Sequence, residues 1–274
     1  MFYKMIRISL LGFVLAVFLN SCSEYQLVLK EDDATKKYAM ADSLYNAGKY
    51  KKALKLMEQI VPVYRGKPQA EKLMYMYANT FYNLEDFYLA GYQFERFESS
   101  YPESDSLEIA AYKSAKSYYE LSPSFSLDQK ETDKALERLQ SYIDKYPDSP
   151  FRTEANSLVL ELRRKLEKKD YETAKQFLNI EDYKAAIEAF DNFIADHPGA
   201  SLRKEAFYGR FEAAYKLAIN SLPSLVNERL LVAKGHYKSF YKYYKDSDLG
   251  EEAREIMVDI EERLSLETEE PTSK

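Results

Sequence analysis

Apolar positions recur at spacings of three and four along this chain, with polar residues between them. Two such trios are Ala53, Met57 and Ile60, and then Ala90, Phe94 and Phe97. Because these spacings bring the members of a trio to one side of a helix, each trio predicts an amphipathic helix with one buried face. Glycine and proline, which interrupt helices, number only 8 and 9, so the composition also favours helices.

The same pattern returns after a fixed step of 37 residues. The step relates Tyr38, Ala41, Leu44 and Tyr45 to Tyr75, Ala78, Phe81 and Tyr82, and these to Tyr112, Ala115, Tyr118 and Tyr119. Self-similarity at such a period indicates stacked structural units. Each unit reads as two helices, with turns expected near Gly48 and Asp86 and a helix end at Pro102, because proline stops a helix.

Later units keep this pattern with interruptions. The third carries Ala115, Ala135, Leu139 and Tyr142, with an insertion over residues 121–130. A separate helix is expected over residues 152–169. The fourth unit carries Tyr171, Ala174, Ala186, Phe190 and Phe193. The fifth carries Phe211, Ala214, Ala233, Tyr237 and Phe240, with an insertion around Leu222-Pro223-Ser224. A charged helix over residues 251–266 is expected to cap the stack.

This arrangement resembles the tetratricopeptide repeat, with a small alanine where the two helices of a unit cross. The predicted fold is therefore all-α: a tetratricopeptide-repeat solenoid of about five helix pairs with a C-terminal capping helix. The predicted division is a linker over residues 22–34, repeats 1 to 3 over 35–150, repeats 4 and 5 with the capping helix over 151–267, and a disordered tail over 268–274.

The first residues have the layout of a secretory signal. Lys4 and Arg7 supply positive charge, and residues 8–19 form an apolar run of 12 residues, too short to span a bilayer. The sequence Leu19-Asn20-Ser21-Cys22 then resembles the bacterial lipobox, in which the cysteine is acylated after removal of residues 1–21. The alternatives are an ordinary signal cut elsewhere, or a buried and unreactive Cys22.

Composition argues against several functions. Without Lys4 and Arg7, 37 basic residues face 45 acidic ones, and a net charge of −8 argues against a nucleic-acid partner. The two histidines, His197 and His236, lack metal-ligand spacing, and with Cys22 acylated no thiol is left for a disulfide. The sequence contains neither a phosphate-binding glycine loop nor a nucleophile elbow. We therefore predict a protein without enzymatic activity, metal or cofactor.

The 25 tyrosines carry the functional signal. In tetratricopeptide folds the first helix of each pair lines the concave surface, and the tyrosines of these helices lie two turns apart on one face. The candidate peptide groove consists of Tyr38, Tyr45, Asn46, Tyr75, Tyr82, Asn83, Tyr112 and Tyr119. Tyrosine rings offer apolar contact plus a hydroxyl, and asparagine amides can hold an extended backbone. The alternative is that each ring packs between repeats as part of the core.

Further motifs complete a family resemblance. Two second helices end in Tyr101-Pro102-Glu103-Ser104 and Tyr146-Pro147-Asp148-Ser149, and the sequence of residues 122–129 resembles the third-repeat loop of the Bacteroidetes branch of one family. With the lipobox and the five repeat units, these motifs make residues 22–265 similar to the BamD family, also called YfiO or ComL, of outer-membrane assembly lipoproteins.

The resemblance implies a non-enzymatic subunit of the outer-membrane β-barrel assembly machinery, lipid-anchored in the inner leaflet of the outer membrane and facing the periplasm. It implies that the N-terminal repeats bind unfolded outer-membrane proteins. It also implies that the C-terminal repeats dock on the POTRA domains of a BamA-like barrel subunit, without assigning the contact residues. A tetratricopeptide adaptor lipoprotein with another cell-envelope client is the alternative.

Overall fold

The computed structural model describes residues 24–269, with side chains to residue 266. Within this part of the chain every regular element is a helix, which confirms the all-α prediction. A short helical segment over residues 24–30 comes first. The helices that follow are α1 Ala34–Asn46, α2 Tyr50–Tyr64, α3 Ala70–Asn83, α4 Phe87–Ser100, α5 Leu107–Leu121, α6 Lys130–Lys145, α7 Arg152–Asn179, α8 Tyr183–Asp196, α9 Arg203–Ile219, α10 Pro223–Tyr244 and α11 Gly250–Glu269.

Three turns between paired helices use the same local chemistry. The backbone takes a positive φ at Gly48 (70°), Glu85 (61°) and Glu181 (64°), which reverses the chain after the first helix of a pair. In two of these turns an aspartate follows, Asp86 before α4 and Asp182 before α8. Each carboxylate accepts a bond from the backbone N–H three residues further on, at 3.2 Å, and so caps the second helix.

Residues 24–123 and 130–159 form one compact unit, the N-terminal unit. In it α1 packs on α2, α3 on α4 and α5 on α6, and α2 and α4 also contact the first helix of the following pair. The predicted contact residues are fully buried: Ala53, Met57, Ala90, Phe94, Phe97, Ala135 and Leu139. Alanine at the crossings lets the helix backbones approach closely while the phenylalanine rings fill the space beside them.

Residues 124–129 and 160–269 form the C-terminal unit. Here α8 packs on α9, α9 on α10 and α10 on α11, around a core of predicted residues: Ala174, Ala186, Phe190, Phe193, Phe211, Ala214, Ala233 and Phe240. The loop over residues 124–129 closes on itself, because the Gln129 amide donates to the carbonyls of Ser124 and Leu127 at 2.9 Å each. The Lys169 ammonium of α7 donates to the Leu127 carbonyl at 2.8 Å and holds this loop against the helix.

Two predicted boundaries are wrong. α7 continues without a break past Lys169, because neither glycine nor proline occurs between residues 152 and 179 to interrupt it. No loop is inserted around Leu222 either, since Pro223 begins α10 at the position where its fixed φ suits a helix and no N–H is needed. The extra residues of this unit instead lengthen α9 and α10.

Some predictions fall at or beyond the ends of the described residues. The signal segment over residues 1–21 and Cys22 lie outside them, as do residues 270–274 of the expected tail. α11 ends at Glu269, so residues 268 and 269, which were expected to be disordered, are helical. Within the expected linker, residues 24–30 are helical and Tyr25 is buried in the core beside α1 and α2.

Candidate peptide-binding groove

The first helices of the N-terminal unit are joined by three polar contacts, one per repeat step. Asp42, Asn79 and Lys116 stand 37 residues apart, and each side chain reaches the next first helix. We call these contacts rungs: the first joins Asp42 to Lys72 (2.9 Å), the middle joins Asn79 to Lys113, and the third joins Lys116 to Glu154 (2.7 Å). The rungs therefore place a line of polar groups across α1, α3, α5 and the start of α7.

In the middle rung two tyrosines flank the ammonium group of the lysine and a third accepts a hydrogen bond from the asparagine. Lys113 Nζ lies 5.3 Å from the ring centroid of Tyr82 and 6.0 Å from that of Tyr75, and it donates to Asn79 Oδ1. Asn79 Nδ2 in turn donates to the hydroxyl of Tyr45. Ring faces attract a cation at these distances, so the tyrosines hold the ammonium in place as well as shielding it.

Burial and charge act differently on the lysines of the three rungs. Burial lowers the pKa of Lys113. The hydrogen bonds from Lys72 to Asp42 and from Lys116 to Glu154 instead raise the pKa of each lysine. The middle rung is consequently the place where the ammonium is least well compensated.

The tyrosines of the groove pack edge-on against phenylalanines of their own helix pair. The Tyr75 centroid lies 5.6 Å from that of Phe97 and 6.1 Å from that of Phe94, while Tyr82 lies 5.7 Å from Phe87. Burial raises the pKa of both tyrosines, so their hydroxyls stay protonated at neutral pH. Each ring thus has one side in the core and is still only half-buried.

The other predicted groove residues have different surroundings. Tyr38 stacks on Tyr64 of α2, with centroids 5.2 Å apart. Tyr112 is buried and stacks on Phe151 at 4.5 Å, while Tyr119 is half-buried on α5. Asn46 is exposed, and Asn83 donates to the backbone carbonyl of Asn79 at 2.6 Å. Of the predicted set, Tyr45, Tyr75, Tyr82 and Asn83 therefore meet around Asn79.

Asn79, Lys113 and Lys116 belong to this site but were not among the predicted residues. Asn79 and Lys116 could have been found, because they follow the same step of 37 residues from Asp42. Lys113 gave no such signal, since Ala39 and Met76 occupy its register in the earlier repeats. Only the packing of α3 on α5 reveals its role.

The C-terminal unit leaves an apolar surface of a different kind. On α10 the side chains of Leu231, Val232 and Tyr243 are 60, 52 and 61 % exposed. Within α10, residues 229–244 contain four basic residues and no acidic one, and Glu228 precedes them. This helix thus presents exposed apolar side chains together with positive charge, and adjacent exposed apolar side chains are typical of interaction sites.

Each of the two histidines interacts with charged residues of the fold. His197 Nε2 lies 2.9 Å from Asp170 Oδ2 in a contact that joins the end of α8 to α7. Burial, followed by the charge of Arg210, lowers the pKa of His236. Among the described residues no group of three or more histidine, cysteine, aspartate or glutamate side chains is arranged to hold a metal ion. None of the described helices has the length and apolar character needed to cross a membrane.

Comparison with known families identifies the chain at the family level. The model of the YfiO family, described as outer membrane lipoprotein, matches residues 30–228. The chain belongs to this family. The matched range covers the whole of α1 to α9, and therefore all three rungs.

Relatives and solved structures add two likenesses. The outer membrane protein assembly factor BamD of Caulobacter vibrioides is 29 % identical over 126 residues, which is 46 % of this chain and 41 % of that protein. The chain thus spans about two fifths of the length of this curated relative. Two structures of Podosopora anserina kinesin light chain TPR-like repeats cover 76 and 88 % of this chain, with 13 and 12 % identity and TM-scores of 0.32.

Proposed function

We propose that this chain is a lipid-anchored, non-enzymatic subunit of the outer-membrane β-barrel assembly machinery. The observation that carries the proposal is membership of the outer membrane lipoprotein family, together with the likeness to an assembly factor named BamD. The N-terminal unit binds incoming barrel proteins, and the C-terminal unit docks on the POTRA region of the barrel subunit.

The groove of the N-terminal unit suits an extended segment of an unfolded protein. Tyr45, Tyr75 and Tyr82 offer ring surface that is already ordered by packing, so little side-chain entropy is lost on binding. The Asn83 amide and the tyrosine hydroxyls supply partners for a peptide backbone. Barrel proteins, whose strands alternate apolar and polar side chains, present matching surfaces before they fold.

The exposed face of α10 supports docking through the C-terminal unit. Val232 and Tyr243 are 11 residues apart, close to three helical turns, and so lie on one face of the helix. Their exposure means that a partner would remove apolar surface from water, while Lys238 and Lys242 favour an acidic rim on that partner. We expect Val232→Glu with Tyr243→Ser to release the barrel subunit. Tyr88→Ser, an exposed tyrosine on α4, serves as the matched control.

Purification from outer membranes tests the whole proposal. The tagged chain should bring down a barrel subunit with POTRA domains and unfolded outer-membrane proteins, identified by mass spectrometry. Division proteins or glycan receptors in their place would favour an adaptor with another client. Cys22→Ala should abolish labelling by a fatty-acid probe, and label that persists in this variant would contradict the anchoring site.

Peptide binding tests the groove separately. The triple variant Tyr45→Ala, Tyr82→Ala, Tyr119→Ala should weaken binding of a barrel-derived peptide at least about tenfold in calorimetry, because buried aromatic anchors dominate binding energy. Circular dichroism of the same variant checks the fold. The exposed pair Tyr88→Ala, Tyr92→Ala on α4 is the control. Intact helicity with unchanged affinity would exclude the groove as the client site.

A further inference from the structure

The three rungs differ in charge. The first and third join an ammonium group to a carboxylate, Lys72 to Asp42 and Lys116 to Glu154. The middle rung joins Lys113 to the neutral amide of Asn79. Within the described part of the chain no aspartate or glutamate oxygen lies within 4.0 Å of Lys113 Nζ. One rung out of three therefore lacks its negative group.

Such an arrangement is unfavourable unless something else compensates it. An ammonium group taken out of water needs a counter-charge or hydrogen bonds to each of its three N–H groups. Asn79 accepts one bond, and the faces of Tyr75 and Tyr82 supply part of the missing compensation. Burial lowers the pKa of Lys113, and no neighbouring carboxylate offsets that effect. The site thus has both positive charge and donor capacity to spare.

We infer that Lys113 binds a carboxylate of the bound peptide, which completes the middle rung in the way that Asp42 and Glu154 complete the other two. The inference rests on the proposed binding of client segments in this groove. Tyr75 and Tyr82 flank the ammonium and contact the apolar atoms next to the carboxylate. The carboxylate is either the C-terminal group of the client or an acidic side chain within it.

The charges around the site favour a single negative charge over a phosphate. Lys72 and Lys116, the cations of the flanking rungs, are already paired with carboxylates. One uncommitted ammonium matches a carboxylate, whereas a phosphate group carries more charge and is usually held by several cationic or N–H donors. Lys113 is only half-buried, so part of this residue is exposed to solvent in the free protein.

Calorimetry with three synthetic peptides tests the inference. All alternate valine and threonine and end in phenylalanine: one has a free C-terminal carboxylate and no acidic side chain, one is amidated, and one is amidated with a single internal glutamate. We expect the amidated peptide to bind about 10- to 100-fold more weakly than the free acid, the usual effect of losing a hydrogen bond to a charged group. Recovery with the internal glutamate would show that a side-chain carboxylate also occupies the site, and no recovery would show that only the C-terminal carboxylate does.

Two variants locate the effect. Lys113→Met should bind the free acid and the amide equally. Asn79→Asp should also bind the free acid and the amide equally, because it places a carboxylate inside the rung. This variant should keep the fold, because the Tyr45 hydroxyl is able to donate to the new carboxylate. Lys72→Met, which breaks a rung that is already balanced, should retain the preference for the free acid. Circular dichroism confirms the helicity of each variant.

The outcomes separate this inference from the proposed function. Equal binding of all three peptides by the wild-type chain would overturn the carboxylate site and leave client binding intact. A preference for the free acid that survives in Lys113→Met and Asn79→Asp would also overturn it. Failure of all three peptides to bind would contradict client binding in this groove and, with it, the carboxylate site.

Discussion

In the N-terminal unit Ala90 and Phe94 are fully buried one helical turn apart, and in the C-terminal unit Ala186 and Phe190 repeat that arrangement. The surfaces built on the two cores are different. The N-terminal unit has half-buried tyrosines joined by polar rungs along its first helices, whereas the C-terminal unit exposes apolar and basic side chains on the second helix α10. Helix-pair packing thus fixes the core and leaves the chemistry of each surface free to differ.

Overpacking a helix crossing in each of the two cores tests whether the two units depend equally on this close packing. Ala90→Phe and Ala186→Phe should each lower the free energy of unfolding by about 3 kcal/mol, because neither crossing has room for a ring. Ala195→Phe on the exposed side of α8 is the control and should change it little. Urea unfolding followed by circular dichroism measures all three. A large loss in only one unit would break the comparison.

Replacing two glycines of the C-terminal unit by alanine should change the stability of the protein in opposite directions. A Cβ at Gly209 would lie 2.5 Å from the Phe190 ring, so we expect Gly209→Ala to cost about 1–3 kcal/mol. A Cβ at Gly235 meets no atom within 4 Å, and Gly235→Ala should stabilise helix α10 by about 0.5–1 kcal/mol. Thermal unfolding of both variants checks the signs. A Gly209→Ala variant that is as stable as the wild type or more stable would show that α9 and α8 do not approach so closely.

One buried carboxyl group of the N-terminal unit should make its own contribution to the pH dependence of stability. Burial raises the pKa of Glu98 to about 7, whereas the hydrogen bond from Arg263 lowers that of Asp259 in the C-terminal unit. Because the folded state binds the Glu98 proton more tightly, this contribution to stability is complete below the ordinary pKa of about 4.5 and is lost as pH rises through about 7.

We therefore expect Glu98→Gln to be more stable than the wild type at pH 8, by about 1–2 kcal/mol after allowance for solvent screening. The two proteins should converge near pH 4. Urea midpoints at pH 4, 6 and 8 provide the measurement, and Glu103→Gln, an exposed residue after α4, is the control. A difference that does not vary with pH would contradict the assignment.

The smallest expected effects lie in the turns. Glu85 in the N-terminal unit and Glu181 in the C-terminal unit both have positive φ, which is unfavourable for a residue with a Cβ. Replacing either residue by glycine should raise the free energy of unfolding by about 0.5 kcal/mol. This figure already subtracts the greater freedom that glycine gives the unfolded chain. Gly48→Ala should lose about 1 kcal/mol. Equal melting temperatures for all of these variants would show that the turns relax at no cost.

The sequence predicted the cores more successfully than the surroundings of the groove residues. Spacings of three and four identified Ala53, Phe94 and Phe193 as buried, because helical periodicity alone brings them to one face. Tyr75 and Tyr112 occupy the same position in successive repeats, yet the first is half-buried beside Lys113 while the second is buried on Phe151. Their difference arises from residues far along the chain, which no local pattern includes.

What the sequence determined by itself is local: where helices recur, where they turn at Gly48 or stop at Pro102, and which small residue stands at each crossing. What only the tertiary structure decided is the chemistry between helices. Lys113 and Asn79 are 34 residues apart, and their contact depends on how far α5 is rotated and shifted against α3. Packing of large apolar side chains sets that rotation, so the position of a polar group between helices follows from the whole core rather than from its own neighbours in sequence.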